Sequence, residues 1–200
     1  MVLAKRRDRF ANFSVKVGIV FSKLPLSANQ WTGLSLIPIL FALYYLINQQ
    51  FLPAAGLFII SAFMDLIDGS VARVTGTVSR KGAYLDTVVD RYVEGIIIFG
   101  LLFASLPDFF FPIAAWLFLY FFGAMMTTYV KAAAKEKELV EKELRGGFME
   151  RAERLIVLFI GILLAAFDPF YLTYIIAALA VLSNITALQR IWAATRGAGK

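Results

Sequence analysis

Six apolar segments, each close to the length that crosses a lipid bilayer, dominate this 200-residue sequence. A helix needs about 20 residues to span the hydrocarbon core, because each residue adds about 1.5 Å of rise. The segments cover approximately residues 29–48, 51–74, 83–105, 109–133, 150–167 and 170–194. Pro38 is predicted to kink the first of them. The sequence therefore predicts an all-α integral membrane protein with six transmembrane helices.

The first 28 residues have a different pattern. Apolar side chains recur there at helical spacing on one face, and basic side chains lie on another. The apolar set is Phe10, Phe13, Val17, Val20, Phe21 and Leu24, and the basic set is Arg9, Lys16 and Lys23. This pattern predicts an amphipathic helix in the membrane interface. The chain then divides into a juxtamembrane segment, residues 1–28, and a membrane domain, residues 29–200.

The composition excludes several kinds of site. Cysteine and histidine are both absent, which removes disulfides, thiol catalysis, imidazole bases and the usual zinc ligands. Any metal must therefore be bound by oxygen, which suits Mg²⁺, Mn²⁺ or Ca²⁺. The net charge is +6 in a sequence that is 60% hydrophobic. Anchoring at the cytoplasmic face of a membrane explains that charge better than nucleic-acid binding, so membrane lipids and no nucleic acid are expected as partners.

The basic residues also predict an orientation. The turns near 49–51, 105–109 and 167–170 contain no lysine or arginine. All 20 basic residues therefore belong to the opposite side or to the helix ends next to it. By the positive-inside rule that side is cytoplasmic. We expect a multi-pass protein of the cell membrane with both termini in the cytoplasm.

Four aspartates are concentrated between residues 65 and 90. Asp65 and Asp68 are three residues apart, and Asp86 and Asp90 are four apart, so each pair lies on one helical face. The polar residues 75–82 between the pairs predict a hairpin turn. Two antiparallel helices would bring the acidic faces together, and four carboxylates that close repel one another unless cations neutralise them. The stretch therefore predicts a pair of bound divalent metals on the cytoplasmic side.

The same stretch follows a longer pattern, D-x2-D-G-x2-A-R-x8-G-x3-D-x3-D. The matching residues are Asp65, Asp68, Gly69, Ala72, Arg73, Gly82, Asp86 and Asp90. This pattern resembles the CDP-alcohol phosphotransferase family, homodimeric membrane enzymes that make phospholipids. The resemblance implies the transfer of a phosphatidyl-type group from a CDP-lipid to an acceptor hydroxyl, with release of CMP. A simpler hypothesis, in which the acids only pair with nearby basic residues, does not explain the glycines.

The resemblance also implies a role for each residue of the pattern. Two divalent cations, Mg²⁺ or Mn²⁺, would be held by Asp65, Asp68 and Asp86 with Asp90 beside them. Asp90 would be the general base that accepts the proton of the acceptor hydroxyl. The residues expected at the nucleotide are Gly69, Ala72, Arg73, Gly82, Asn29 and Thr32. For Asn29 and Thr32, capping of the first helix is the competing interpretation.

Basic residues at three helix ends predict an acceptor pocket. They are Lys131, Arg151, Arg154 and Arg190. Their arrangement resembles the branch of the family whose acceptor is inositol phosphate, the phosphatidylinositol-phosphate and archaetidylinositol-phosphate synthases. Such cations bind phosphate through charge-assisted hydrogen bonds. Anchoring among lipid headgroups is the competing interpretation.

Two alternative functions stay open. A phosphatidylglycerol-phosphate synthase, which uses glycerol 3-phosphate, would also need a basic phosphate pocket. An ion transporter would also carry acids within membrane segments. The absence of an internal repeat and the position of the acids at helix ends disfavour the transporter. The sequence leaves the donor open between CDP-archaeol and CDP-diacylglycerol.

Overall fold

The computed structural model of the chain describes residues 2–140 and 147–197, and every regular element within these two ranges is an α-helix. The helices are α1 (Val2–Phe21), α2 (Ala28–Leu34), α3 (Leu36–Ile47), α4 (Phe51–Val74), α5 (Arg80–Leu102), α6 (Ile113–Glu136), α7 (Arg151–Ala165) and α8 (Pro169–Gly197). The all-α class predicted from the apolar segments is confirmed.

The first predicted membrane segment consists of two helices, because the chain breaks at Ser35 between α2 and α3. The break is therefore at Ser35, three residues before the predicted position at Pro38. Pro38 falls in the first turn of α3, where a missing N–H is tolerated. Side chains compensate for the break: the Ser35 hydroxyl donates to the Thr32 carbonyl at 2.7 Å, and the Ser61 hydroxyl donates to the Ser35 carbonyl at 2.8 Å.

The three loops without lysine or arginine meet at one end of the helix bundle. Gln49 connects the first two, since its amide donates to the Phe103 carbonyl at 3.0 Å and accepts from the Ser105 N–H at 2.7 Å. At the start of α8 the Thr173 hydroxyl donates to the Pro107 carbonyl at 3.0 Å. The turn at residues 75–79 joins α4 to α5, which run in opposite directions, so it lies at the other end with the aspartates.

Four stretches of the described residues are long and apolar enough to cross a membrane: Ala28–Ile47, Phe51–Val74, Ile113–Glu136 and Pro169–Arg196. The chain is therefore a multi-pass membrane protein. Helix α5 does not meet the same criterion because charged side chains run along it, and α7 has only 15 residues. For these two helices, membrane crossing stays a prediction.

The core of the bundle is formed by side chains of α3 to α8. Ile39, Phe58, Ile97, Leu117 and Leu158 are among the fully buried ones. Many large apolar side chains point outward, including Phe41, Phe63, Phe118 and Val181. Exposed apolar surface on this scale is rare in soluble proteins but is expected for helices that contact lipid tails.

Helix α1 packs against α4. Gly18 approaches α4 so closely that an added Cβ would lie 2.5 Å from the Ser70 carbonyl oxygen, and Val17 is buried beside it. The predicted N-terminal helix is confirmed as a helix. Phe13 and Val20, both predicted for its membrane face, remain exposed. Its position in the membrane interface stays a prediction.

Candidate active site

The turn between α4 and α5 brings the four aspartates of the pattern to one place. Gly76 has a φ of +67°, a left-handed conformation that glycine adopts without steric cost. Ser79 caps α5, because its hydroxyl accepts from the Gly82 N–H at 3.0 Å. The turn is therefore shorter than the predicted 75–82, and Gly82 lies in the first helical turn of α5.

Three of the aspartates form a compact group of carboxylates, here named the carboxylate triad: Asp65, Asp68 and Asp86. Each offers one oxygen, and these oxygens all lie within 4.8 Å of one another. Divalent cations bind carboxylate oxygens at about 2.0–2.6 Å, so oxygens this close together fit around one ion. Thr32 orients one member of the triad, since its hydroxyl donates to Asp68 Oδ2 at 2.5 Å. The triad therefore has the donor chemistry and the spacing of a divalent-cation site.

Asp90 lies beside the triad and is held by two arginines. Arg151 Nη2 is 2.8 Å from Asp90 Oδ1, and Arg91 Nη1 is 3.2 Å from Asp90 Oδ2. Arg151 Nη1 also lies 3.6 Å from Asp65 Oδ2. Arg151 thus connects the predicted general base to the triad. The role of Asp90 as an additional metal ligand stays a prediction.

An open cleft of about 320 Å³ adjoins the triad. Helix α2, the end of α4 and the start of α5 enclose it. All six residues predicted for the nucleotide line this cleft: Asn29, Thr32, Gly69, Ala72, Arg73 and Gly82. Asp68 and Asp86 line the same cleft. A nucleotide in the cleft would therefore have its phosphates next to the carboxylates.

Two glycines keep the cleft open. A Cβ added at Gly69 would lie 3.3 Å from Arg73 Nη1, and one added at Gly82 would lie 3.1 Å from Asn29 Oδ1. Both distances are shorter than ordinary van der Waals contact, so larger side chains would displace the cleft residues. This need for space explains a glycine inside α4, where it costs about 1 kcal/mol relative to alanine.

Helix α2 is capped by Ser27 and not by Asn29 or Thr32. The Ser27 hydroxyl accepts from the Gln30 N–H at 3.3 Å, and the Ser27 N–H donates to Gln30 Oε1 at 2.8 Å. This is a capping box, and its sequence signal is the serine three residues before the glutamine. The capping interpretation of Asn29 and Thr32 is therefore wrong.

Arg73 is oriented from α1, a contact that the sequence did not predict. Arg73 Nη2 donates to the Ser14 hydroxyl at 2.7 Å and to the Ser70 hydroxyl at 3.3 Å. The Ser14 and Ser70 hydroxyls lie 2.7 Å apart. The guanidinium has five N–H donors in a planar fork. These contacts fix the Nη2 atom of the guanidinium, and the Arg73 side chain lines the cleft.

Three of the four basic residues predicted for the acceptor lie near the aspartate end of the bundle. Arg151 contacts Asp90 and Asp65. Arg190 Nη1 donates to the Thr127 carbonyl at 2.7 Å, and Lys131 follows Thr127 by one turn of α6. Both Lys131 and Arg190 are partly buried.

Arg154, the fourth predicted acceptor ligand, lies inside the bundle. Its side chain is 2% exposed, and Arg154 Nε is 3.3 Å from Glu94 Oε1. A direct contact with an acceptor phosphate does not fit this position. Arg151 and Arg154 share a helical face as predicted, but Arg154 lies one turn deeper. Glu94 was not predicted as its partner, although Glu94 follows Asp90 by four residues and Arg154 follows Arg151 by three, each about one helical turn.

Comparison with known sequences gives one family and several similar enzymes. The sequence profile of the family described as CDP-alcohol phosphatidyltransferase matches residues 26–188. An archaetidylinositol phosphate synthase of Pyrococcus horikoshii is 31% identical over 198 residues, which cover 98% of this chain and 97% of that protein. A phosphatidylinositol phosphate synthase of Mycobacterium tuberculosis is 34% identical over 134 residues, 64% of this chain and 59% of that protein.

Comparison with solved structures gives the same family of enzymes. The phosphatidylinositol phosphate synthase of Mycobacterium tuberculosis with CDP-DAG bound superimposes with a TM-score of 0.80 and 26% identity, covering 92% of this chain and 94% of that one. The same enzyme in complex with manganese and citrate gives a TM-score of 0.81 and 27% identity, covering 91% and 88%. The transporter hypothesis is therefore wrong, and the chain is a membrane enzyme of the CDP-alcohol phosphatidyltransferase family.

Proposed function

We propose that this enzyme transfers a phosphatidyl-type group from a CDP-lipid to a hydroxyl of inositol phosphate and releases CMP. One observation carries the proposal: Arg151 contacts both Asp65 of the carboxylate triad and Asp90. A cation suited to an acceptor phosphate thus lies beside both the triad and the predicted base. The similar enzymes from Pyrococcus horikoshii and Mycobacterium tuberculosis, both named as inositol phosphate lipid synthases, support this acceptor.

We assign two divalent cations, Mg²⁺ or Mn²⁺, to the triad and Asp90. Bound cations would neutralise the pyrophosphate and stabilise the charge that develops on the leaving CMP. The close spacing of the triad supports one cation site, and the manganese in the crystal of the similar mycobacterial enzyme supports the class of metal. Thr32 keeps Asp68 turned toward that site.

In the proposed reaction, Asp90 takes the proton of the acceptor hydroxyl. The acceptor oxygen forms a bond to the phosphorus on the lipid side of the pyrophosphate, and the bond from that phosphorus to the oxygen of CMP breaks. Arg151 holds the Asp90 carboxylate in place at 2.8 Å. Arg73 lines the cleft and would bind phosphate oxygens through its planar fork.

The acceptor is tested by offering several alcohols to one preparation. Purified enzyme with Mg²⁺ and a CDP-lipid, either CDP-archaeol or CDP-diacylglycerol, receives inositol phosphate, free inositol, glycerol 3-phosphate or serine. CMP release is measured for each. We expect the fastest release with inositol phosphate and only background release with free inositol, because the basic residues bind the phosphate. Faster release with glycerol 3-phosphate would contradict the proposed acceptor.

We propose that all six predicted segments cross the membrane, including those that contain α5 and α7. We also propose that the active site faces the cytoplasm and that the enzyme is a homodimer. The positions of the loops without basic residues support the orientation. Because the chain lacks cysteine, a single cysteine at Phe110 or Phe167, which are 88% and 84% exposed, can be labelled selectively. An impermeant reagent should label it from outside the cell, whereas a control cysteine at Lys137 should stay unlabelled. The reverse labelling result would contradict the orientation.

The homodimer is tested by light scattering of the purified enzyme, which should give the mass of two chains.

A further inference from the structure

A buried ion pair joins α5 to α7 beneath the proposed acceptor pocket. Glu94 and Arg154 have 1% and 2% of their side chains exposed. Arg154 Nε and Nη2 each lie 3.3 Å from Glu94 Oε1, and Nη2 lies 3.4 Å from Oε2. The Tyr120 hydroxyl, on α6, donates to the same Oε1 at 3.3 Å. Three helices therefore meet at one carboxylate.

The pair repeats, one turn deeper, the contact between Asp90 and Arg151. Glu94 follows Asp90 by four residues on α5, and Arg154 follows Arg151 by three residues on α7. Each of these spacings returns to the same helical face after about one turn. The upper pair is partly exposed, at 12% for Asp90 and 21% for Arg151. The lower pair thus joins the same faces of α5 and α7 as the upper pair.

The lower pair is also connected to the other basic residues of the pocket through Thr127. Arg154 Nη1 donates to the Thr127 hydroxyl at 3.4 Å, and Arg190 Nη1 donates to the Thr127 carbonyl at 2.7 Å. Lys131 follows Thr127 by one turn toward the aspartate end of α6. Arg190 and Arg154 are therefore bonded to the same residue, and Lys131 and Arg151 lie one helical turn from Thr127 and Arg154, respectively.

Stability does not explain why the lower pair is charged. Two buried charges lose their hydration, and well-packed apolar side chains of similar volume often stabilise a fold as well or better. A charged pair does differ from an apolar contact in direction, because a guanidinium fork and a carboxylate fix their relative orientation. That property is useful where helices must present cations at fixed positions.

We propose that Glu94 and Arg154 are positioning residues for the acceptor, and that they hold Lys131, Arg151 and Arg190 at the spacing of a phosphorylated polyol. The inference rests on the proposed function for the identity of that acceptor. None of the residues Glu94, Tyr120, Thr127 and Arg154 lines the nucleotide cleft. These residues should therefore determine the KM for the acceptor and leave the KM for the CDP-lipid unchanged.

The test uses an apolar variant in which no buried charge is left unpaired: Glu94→Leu, Tyr120→Phe and Arg154→Met together. We expect a folded protein whose KM for inositol phosphate rises by about tenfold or more, as expected when the bonds of a misplaced cation to phosphate are lost. The KM for the CDP-lipid should stay within about twofold of wild type, a change too small to represent a lost bond. A folded variant with an unchanged acceptor KM, or with equal increases for both substrates, would overturn the inference.

A second variant decides the matter if the apolar one does not fold. Arg154→Lys keeps a positive charge beside Glu94, but its single ammonium cannot reproduce the fork to Glu94 and Thr127. We expect a rise of about threefold or more in the acceptor KM, since a weakened hydrogen bond changes affinity by that order. Wild-type kinetics for Arg154→Lys would overturn the inference. Thr173→Val, which removes the buried hydrogen bond to the Pro107 carbonyl at the opposite end, controls for general destabilisation and should leave both KM values unchanged.

The wild-type enzyme is assayed in parallel, so the two proposals can fail separately. If wild type prefers glycerol 3-phosphate, the proposed acceptor is wrong, and the same comparison of KM values is made with glycerol 3-phosphate. A selective rise for that acceptor would still support the positioning role, and no rise would contradict it.

Discussion

Replacing Asp65, Asp68 or Asp86 with asparagine is expected to lower kcat by about 10³-fold or more, because each removes a charged ligand from a site whose metal supplies several kcal/mol of transition-state stabilisation. Asparagine keeps the shape of the side chain but removes its negative charge. The oxygens of the triad lie within 4.8 Å of one another, so the loss of any one should also weaken cation binding. CMP release and Mn²⁺ titration of the same preparations measure the two effects.

Two further substitutions make that result specific. Asp90→Asn should abolish turnover while Mn²⁺ and CMP still bind appreciably, because the three carboxylates of the triad remain and the proposed role of Asp90 is to accept a proton. Asp108→Asn, at the opposite end of the bundle where the carboxylate accepts from the Ile113 N–H, is the control and should keep wild-type activity. Near-normal rates for Asp90→Asn would rule out its role as the base.

Alanine in place of Arg151 or Arg190 is expected to raise the KM for inositol phosphate about tenfold or more, which corresponds to the loss of one charge-assisted hydrogen bond. The two variants should differ in kcat. Arg151→Ala should also lower kcat, because Arg151 contacts Asp90 and Asp65. Arg190→Ala should act mainly on KM, since Arg190 donates to the Thr127 carbonyl of α6. Steady-state CMP release at varied acceptor concentration separates the two effects.

The KM for the CDP-lipid donor is the internal control for these arginine variants. The KM for the CDP-lipid should scarcely change, because the nucleotide cleft is lined by residues of α2, α4 and α5 and by the turn between them. Lys137→Ala, on an exposed side chain paired with Glu136, should have wild-type kinetics. Equal increases in the KM for both substrates, or no increase for either, would contradict a role of the arginines in acceptor binding. That result would favour the alternative that they anchor helix ends among lipid headgroups.

The aspartate pattern allowed much of the candidate site to be predicted from the sequence. Spacings of three and four residues place side chains on one helical face whatever surrounds the helix, so the meeting of Asp65, Asp68 and Asp86 required only an antiparallel turn. The small residues of the pattern, Gly69 and Gly82, were expected at a close approach, and both line the cleft.

The contacts between distant helices could not be predicted in the same way. Arg73 bonds to Ser14, 59 residues earlier, and Arg154 pairs with Glu94, 60 residues earlier. Helical periodicity gives the face of each side chain, but it does not give the neighbour on that face or the depth at which the two helices meet. For this reason the sequence predicts Arg154 in the acceptor pocket, whereas the side chain lies one turn below it and is 2% exposed.

Hydropathy was informative for some segments and incomplete for others. The break at Ser35 is compensated by hydroxyl groups of the chain itself, so an uninterrupted apolar segment could still contain two helices. Helix α5 carries the charges of the site along its length. A helix whose charges face the interior of a bundle can cross a membrane without being apolar on all sides.

The identity of the lipid product is the most direct test of the proposed activity. The enzyme, Mg²⁺, CDP-lipid and inositol phosphate are incubated together, and the lipid extract is analysed by mass spectrometry while CMP is quantified. We predict one new lipid that contains the phosphatidyl-type group and inositol phosphate, formed in equal amount to CMP and absent after chelation of the metal. Release of CMP without an inositol-containing lipid, or a reaction undiminished by chelation, would contradict the account.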